Sequence, residues 1–151
     1  MRWRFTDRVE SFESWKAVRC RKTVSLEEYS LLKPFGLKGA FPVSLVMECC
    51  VSAARWLASA STRFEKTCLL DGVSEMTFAA SPGKPGIGDA LIIEVRPVEV
   101  SKGSFIAECS VAAISGAQVA AGTLSFTLAD LHDMEDASGR ETLWREIYAG
   151  A

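Results

Sequence analysis

One carboxylate stands inside a long apolar stretch. From Phe41 to Ser61 the chain reads FPVSLVMECCVSAARWLASAS, its longest run without a turn signal. Leu45, Val46, Cys49, Cys50, Ala53, Trp56 and Leu57 recur at the spacing of an apolar helical face. The polar side chains within the run include Glu48, Ser52, Arg55 and Ser59, and at about 100° per residue these four fall on one narrow line. A helix that is apolar nearly all round expects burial on most sides. Glu48 then has two readings. It is an exposed helix carboxylate helped by Arg55, or it is a carboxyl buried in an apolar pocket and set up for acid–base work. The apolar surroundings favour the second.

The other chemistry-bearing residues are few. The five cysteines are Cys20, Cys49, Cys50, Cys68 and Cys109. The count is odd and there is no C-x-x-C pair, so buried free thiols are expected. Cys49 and Cys50 sit beside Glu48, but burial raises a thiol's pKa rather than activating it. The single histidine, His132, lies among acidic residues in a tail, and one histidine excludes the usual multi-histidine zinc sites. No metal and no cofactor is implied.

The totals bound the function classes. A chain of 151 residues with 48% hydrophobic and 24% charged residues is one domain, 1–151, in the range of an ordinary soluble globular protein. Its core is expected over about residues 5–128, with an acidic tail beyond. A net charge of −2 argues against a nucleic-acid binder. No uninterrupted apolar run reaches the ~18 residues of a membrane span, and the N-terminus has no signal-peptide core. A cytoplasmic location is expected. The first 22 residues carry seven basic side chains against three acidic ones. That excess fits either a solvated strand face or a landing patch for an acidic partner.

The elements that must position Glu48 can be read in order. Residues 1–14 are mixed, with Trp3, Phe5 and Phe12 as anchors. Trp15 to Val24 alternates like a strand. Ser25-Leu26-Glu27-Glu28 is a capping box opening a short helix, and Pro34 stops it. Lys33 to Phe41 is a loop feeding the long helix, where Pro42 suits the first turn. Strands are expected from Thr67 to Ala79, from Ala90 to Val100 with a bulge or edge at Pro97, from Ser104 to Ser115, and from Gln118 to Leu128. Turns at 81–86, at Lys102-Gly103 and at Gly116-Ala117 separate them. The last three strands form an antiparallel meander. Ser138-Gly139-Arg140-Glu141 is a second capping box before a short C-terminal helix bearing Leu143, Trp144 and Ile147. A curled antiparallel sheet wrapped on one central helix satisfies this order: an α+β chain of the hotdog architecture.

Within that architecture the chain resembles the hotdog-fold 3-hydroxyacyl-acyl-carrier-protein dehydratases. Their H-F-P-G-x-P-x-x-P-G motif lies without gaps over Pro34 to Val43, and their helix carboxylate then falls on Glu48. Phe35, Phe41, Pro42 and Glu48 match. Phe5 to Val9, Val24 to Glu28 and Gly88-Asp89-Ala90-Leu91 are similar to further family segments in the same order. The resemblance implies Glu48 as the catalytic carboxylate and Phe35, Phe41, Pro42, Val43 and Ser52 as contacts to an acyl thioester, carried by acyl carrier protein or coenzyme A. It also implies a homodimer, or a heterodimer with a related hotdog subunit.

The departures are at the chemistry. Pro34 stands where the family has its catalytic histidine, Gly36 and Leu37 replace a proline and a glycine, and Val43 replaces the glycine that opens the helix. Proline has no proton to exchange, so the chain lacks its own base for dehydration, a loss of roughly 10²- to 10⁴-fold. Three functions follow. The chain binds acyl thioesters but is inactive or weakly active alone, and in the sharper version contributes Glu48 to a site shared with a histidine-bearing partner. It is a hotdog thioesterase that uses Glu48. Or it is a non-catalytic interaction module.

Overall fold

The computed structural model describes residues 4–25, 41–79, 86 and 88–148. Leu26 to Glu28 of the capping box, the helix after it, the loop carrying Pro34 and Phe35, and the turn over 81–85 lie outside these residues.

The alternating stretch is one strand, as expected, and the segment before it, read as mixed, supplies a second that pairs with it as a hairpin. Strands β1 (Arg8–Glu13) and β2 (Ala17–Thr23) pair antiparallel, Phe12 opposite Val18. The reversal is closed by the Lys16 N–H donating to the Glu13 carbonyl at 3.0 Å. Trp15 occupies the left-handed region at φ 53°, a costly place for a bulky residue. Its N–H donates to Ser61 Oγ at 2.9 Å and its ring meets Phe105 edge-on at 5.4 Å, which offsets that cost. Before β1, the Asp7 N–H donates to the Arg21 carbonyl and the Asp7 carboxylate accepts from the Thr23 N–H, so residues 5–7 are tied alongside β2.

Helix α1 runs Val43–Ser61. Pro42 is its extended N-cap rather than its first helical residue, and its carbonyl accepts from the N–H groups of Leu45 and Val46. By length and a mean hydropathy of 1.3 this helix could cross a bilayer, contrary to the reading of the uninterrupted apolar runs. Here it is packed on the sheet, with 56% of that window buried.

Strands β3 (Lys66–Phe78), β4 (Ala90–Val100), β5 (Ser104–Ala113) and β6 (Gln118–Asp130) follow. All six strands form one antiparallel sheet in the order β1-β2-β4-β5-β6-β3. The expected β4–β5–β6 meander is present, and Pro97 sits at a register shift, a bulge that removes the need for its missing N–H. β3 is one strand with two irregularities, at Leu70/Gly72 and Val73/Glu75. These bulges bend it round the helix.

The concave face carries apolar rows across the sheet. Cys20, Ile93, Val111 and Ala120 pair in one row, and Val18, Val95, Cys109 and Gly122 in the next. α1 fills the trough with Val46, Cys49, Cys50, Ala53, Trp56 and Leu57, all buried. This is the hotdog arrangement, with the helix inside a curled sheet. Gly122 is required at its place: a Cβ there would lie 2.1 Å from the Glu75 carbonyl oxygen and 2.7 Å from Met76 Cα.

The chain ends in two helices, α2 (Leu131–Met134) and α3 (Ala137–Ile147). α3 is capped by Asp136, whose carboxylate accepts from the Ser138 N–H at 3.1 Å, and not by Ser138 as the capping-box pattern suggests. Trp144 docks α3 against Phe12 (5.3 Å) and Trp56 (5.7 Å) and packs on Tyr148 at the end of its own helix (4.7 Å).

The basic N-terminal residues form ion pairs on the convex face. Arg19 bridges Glu10 (3.1 Å) and Glu94 (2.7 Å), and Arg96 also reaches Glu94 (3.1 Å). Lys16 pairs with Glu13 at 2.9 Å. This favours the solvated strand face over a landing patch.

Candidate functional site

The polar line of α1 points away from the sheet. It opens into a groove of about 670 Å³ bounded by α1, residues 4–6 and α3. Glu48 and Ser52 line this groove together, one turn apart on one face of the helix. Glu48 is exposed, so the expectation of a buried carboxyl fails; the groove lies on the side of α1 that the sheet does not wrap. Its carboxylate makes no hydrogen bond or ion pair among the described residues, and Arg55 does not serve it. Arg55 instead donates from Nε to the Cys68 carbonyl at 3.3 Å, tying the helix to β3.

Ser52 is held more closely. Its Oγ lies 3.0 Å from Thr6 Oγ1. Thr6 is 7% exposed and itself lines the groove. The opposite wall is α3. Arg140 lies over the Trp56 ring, 3.6 Å from its centroid, and pairs with Glu135 at 3.6 Å. The wall is therefore fixed by a cation–π contact and an ion pair, with an apolar floor beneath them.

The other expected contacts do not reach the groove. Phe41 is buried in the core below the start of α1. Pro42 is half-buried at the helix cap. The Val43 side chain is exposed but lies about 140° round the helix from Glu48. What Val43 offers is its backbone: as a first-turn residue its N–H has no intrahelical acceptor. Pro34 and Phe35 lie outside the described residues. Ser44, exposed one turn before Glu48, extends the polar line and was legible from the same periodicity. Thr6 and Arg140 carried no such signal.

His132 is exposed on α2 and does not line the groove. The cysteines are free and buried. Burial pushes the Cys20 thiol up to about 12, against a hydrogen bond with Thr6 that lowers it. Burial likewise takes Cys68 to about 12, against the nearby positive charge of Arg55. A hydrogen bond with Cys50, together with burial, raises Cys109 further. None of these three is a thiolate at neutral pH, which removes them as nucleophiles. Among the described residues no group of three His, Cys, Asp or Glu is placed to hold a metal ion.

No protein-family model and no curated protein matches the sequence. Solved structures do match it. The chain is similar to smu.793 of Streptococcus mutans bound to acetyl CoA, at 15% identity and a TM-score of 0.64, over 82% of this chain and 88% of that one. A hypothetical thioesterase of Streptococcus pneumoniae with coenzyme A gives 11%, 0.63, 81% and 84%. A hot-dog-like protein of Thermanaerovibrio acidaminovorans gives 14%, 0.63, 89% and 93%. These likenesses show the hotdog fold. None of the three is named as a dehydratase, so the narrower resemblance gains no support from them.

Proposed function

We propose that the protein binds an acyl thioester in the groove beside α1 and hydrolyses it, with Glu48 as the general base. The observation that carries this is the placement of Glu48: an exposed carboxylate facing a groove of about 670 Å³, with the Ser52 hydroxyl one turn away and no histidine in the lining. A groove of this size suits a ligand of roughly 300–1,000 Å³. Hydrolysis needs one such group. Glu48 takes a proton from water, and the water oxygen adds to the thioester carbonyl carbon. The tetrahedral intermediate collapses by breaking the C–S bond, and the proton held by Glu48 passes to the departing sulfur. The products are a carboxylic acid and a free thiol. Dehydration of a 3-hydroxyacyl thioester asks for a separate base at the α-carbon, and proline at position 34 cannot be one. Coenzyme A and acetyl CoA in the matched structures support a thioester as ligand.

The test is thiol release from acyl-coenzyme A and acyl-carrier-protein thioesters by the purified protein. Glu48→Gln keeps the shape and removes the base, so it should lower kcat about 10²- to 10⁴-fold. Undiminished hydrolysis by that variant overturns the reading.

A second reading is favoured by the edge of the sheet. Among the described residues β3, 13 residues long, is paired on one side only, with Leu69, Leu70 and Val73 exposed at 37%, 41% and 48%. An apolar edge of that length is a template for another strand. A second copy, or a histidine-bearing hotdog subunit, paired there could share a site with Glu48. Enoyl product formed only on co-expression with such a subunit is the outcome that selects this reading over hydrolysis.

A further inference from the structure

We propose that Arg140 sets the acyl specificity of the groove: lying on the Trp56 ring, it keeps an alkyl chain from that ring and so selects a short acyl group with a hydrogen-bond-donating substituent. The inference rests on the reading of the groove as a thioester site and adds to it the class of acyl group.

The groove is a polar one. Besides Glu48, its lining carries Arg4, Arg55, Glu135, Asp136, Arg140 and Glu146. A long alkyl chain laid among these side chains would take water from them and give no hydrogen bond in return. The apolar residues of the lining are Phe5, Trp56 and Leu143. Trp56 is the largest of them, and an indole face is the kind of surface on which a chain gains by burial. That face is already taken. The Arg140 guanidinium carbon sits 3.6 Å from the ring centroid, and Arg140 pairs with Glu135 at 3.6 Å. With the Trp144 ring packed on it as well, at 5.7 Å, Trp56 is left 3% exposed. To reach the ring, a chain would have to lift the guanidinium off it and away from Glu135.

The sheet side of α1 gives no second path. Cys49, Cys50, Ala53 and Leu57 are fully buried there, and among the described residues no space beside them is open to a chain. A short acyl group needs none, and the α3 wall is suited to hold its substituent. The Ser138 hydroxyl donates to the Asp136 carboxylate at 2.9 Å, and the Thr142 hydroxyl donates to the Ser138 carbonyl at 2.9 Å. Both protons are therefore engaged within the C-terminal segment, and what the two exposed hydroxyls offer a ligand is oxygen lone pairs. The Glu146 carboxylate on the same wall is an acceptor too. A wall of acceptors calls for a donor, an amino or hydroxyl group on the acyl chain.

The test is a binding series that needs no turnover. Ethyl, butyl, octyl and dodecyl thioethers of coenzyme A, which cannot be hydrolysed, are titrated by calorimetry into the native protein, Arg140→Ala and Arg140→Met. In the native protein Kd should not improve beyond butyl, and the aminobutyl thioether should bind about two- to fivefold tighter than the butyl one. Arg140→Ala bares the Trp56 ring, and affinity should then rise by up to about fourfold for each methylene added beyond butyl. Arg140→Met keeps an unbranched stem against the ring without the charge, so it should show the same rise even if the alanine variant does not fold. Affinity that climbs steadily with chain length in the native protein overturns the proposal, and so does a series that stays flat in both variants. Aminobutyl binding no tighter than butyl overturns the choice of substituent. Failure of the hydrolysis reading is told apart by thiol release. If the thioethers bind as expected and no thiol is released from acetyl-coenzyme A, hydrolysis falls and the selection by Arg140 stands. If no thioether binds to any of the three proteins, the groove is not a thioester site and the proposal falls with it.

Discussion

Glu48 and Thr6 show what a sequence does and does not disclose about single residues. A carboxylate midway along an apolar helix has few explanations, so Glu48 stood out, and Ser52 followed from the same periodicity. Its exposure did not follow, because periodicity gives the angle round a helix and not which side the sheet leaves open. Thr6 was illegible because its partner is 46 residues away and neither residue is unusual in its own segment. Gly122 is a similar case. It reads as one small residue in a strand rich in alanine, yet a Cβ there meets the β3 backbone at 2.1 Å, and backbone cannot rotate aside. Gly122→Ala should therefore cost about 1–3 kcal/mol or more, the range of an overpacked core. A lowered urea midpoint at unchanged slope checks this. Gly72→Ala, where nothing lies within 4 Å, is the control and should stay close to native.

At the scale of elements, periodicity and turn signals placed what is regular. β4 was expected over Ala90 to Val100 and is found there, and the meander follows from the tight turns at Lys102-Gly103 and Gly116-Ala117. β1 was missed because its turn has no glycine, proline or asparagine. Trp15 takes the positive φ that usually announces such a residue, and long-range contacts hold it there. The C-terminal helix was expected, but not the wall it builds. Its docking rests on Trp144, buried between Phe12, Trp56 and Tyr148. Arg140 adds a cation–π contact worth about 0.5–2 kcal/mol. Trp144→Ala should cost about 3–5 kcal/mol in global stability or in local release of the helix. Hydrogen exchange separates the two. Faster exchange confined to residues 137–148 means the helix detaches from a surviving sheet, and it should widen the groove and weaken the proposed thioester binding. Acceleration throughout the sheet means that α3 belongs to the same cooperative unit as the core.

The whole molecule closes around buried thiols. Cys20 lies on β2, Cys49 and Cys50 on α1, Cys68 on β3 and Cys109 on β5, so they tie the helix–sheet interface with no disulfide among them. This was legible in the odd count and the missing C-x-x-C, and it has a consequence for pH. Cys20 and Cys68 rise from 9.0 to about 12 on folding, chiefly because burial penalises the thiolate. A raised pKa means that the folded state binds the proton more tightly than the unfolded chain. The contribution is whole below pH 9 and is lost as pH climbs from 9 toward 12. Each such thiol then removes about 1 kcal/mol of stability per pH unit. Two of them acting together over two units consume a large part of the roughly 5–15 kcal/mol that holds an ordinary domain. The protein should therefore lose thermal stability steeply between pH 9 and 11 while remaining steady from 7 to 8.5. Cys20→Ala should flatten that slope even though it costs stability at neutral pH, because deleting the thiol removes the titration along with the packing. A slope unchanged by that substitution would assign the alkaline loss to other groups and leave Cys20 readily ionised in the folded chain.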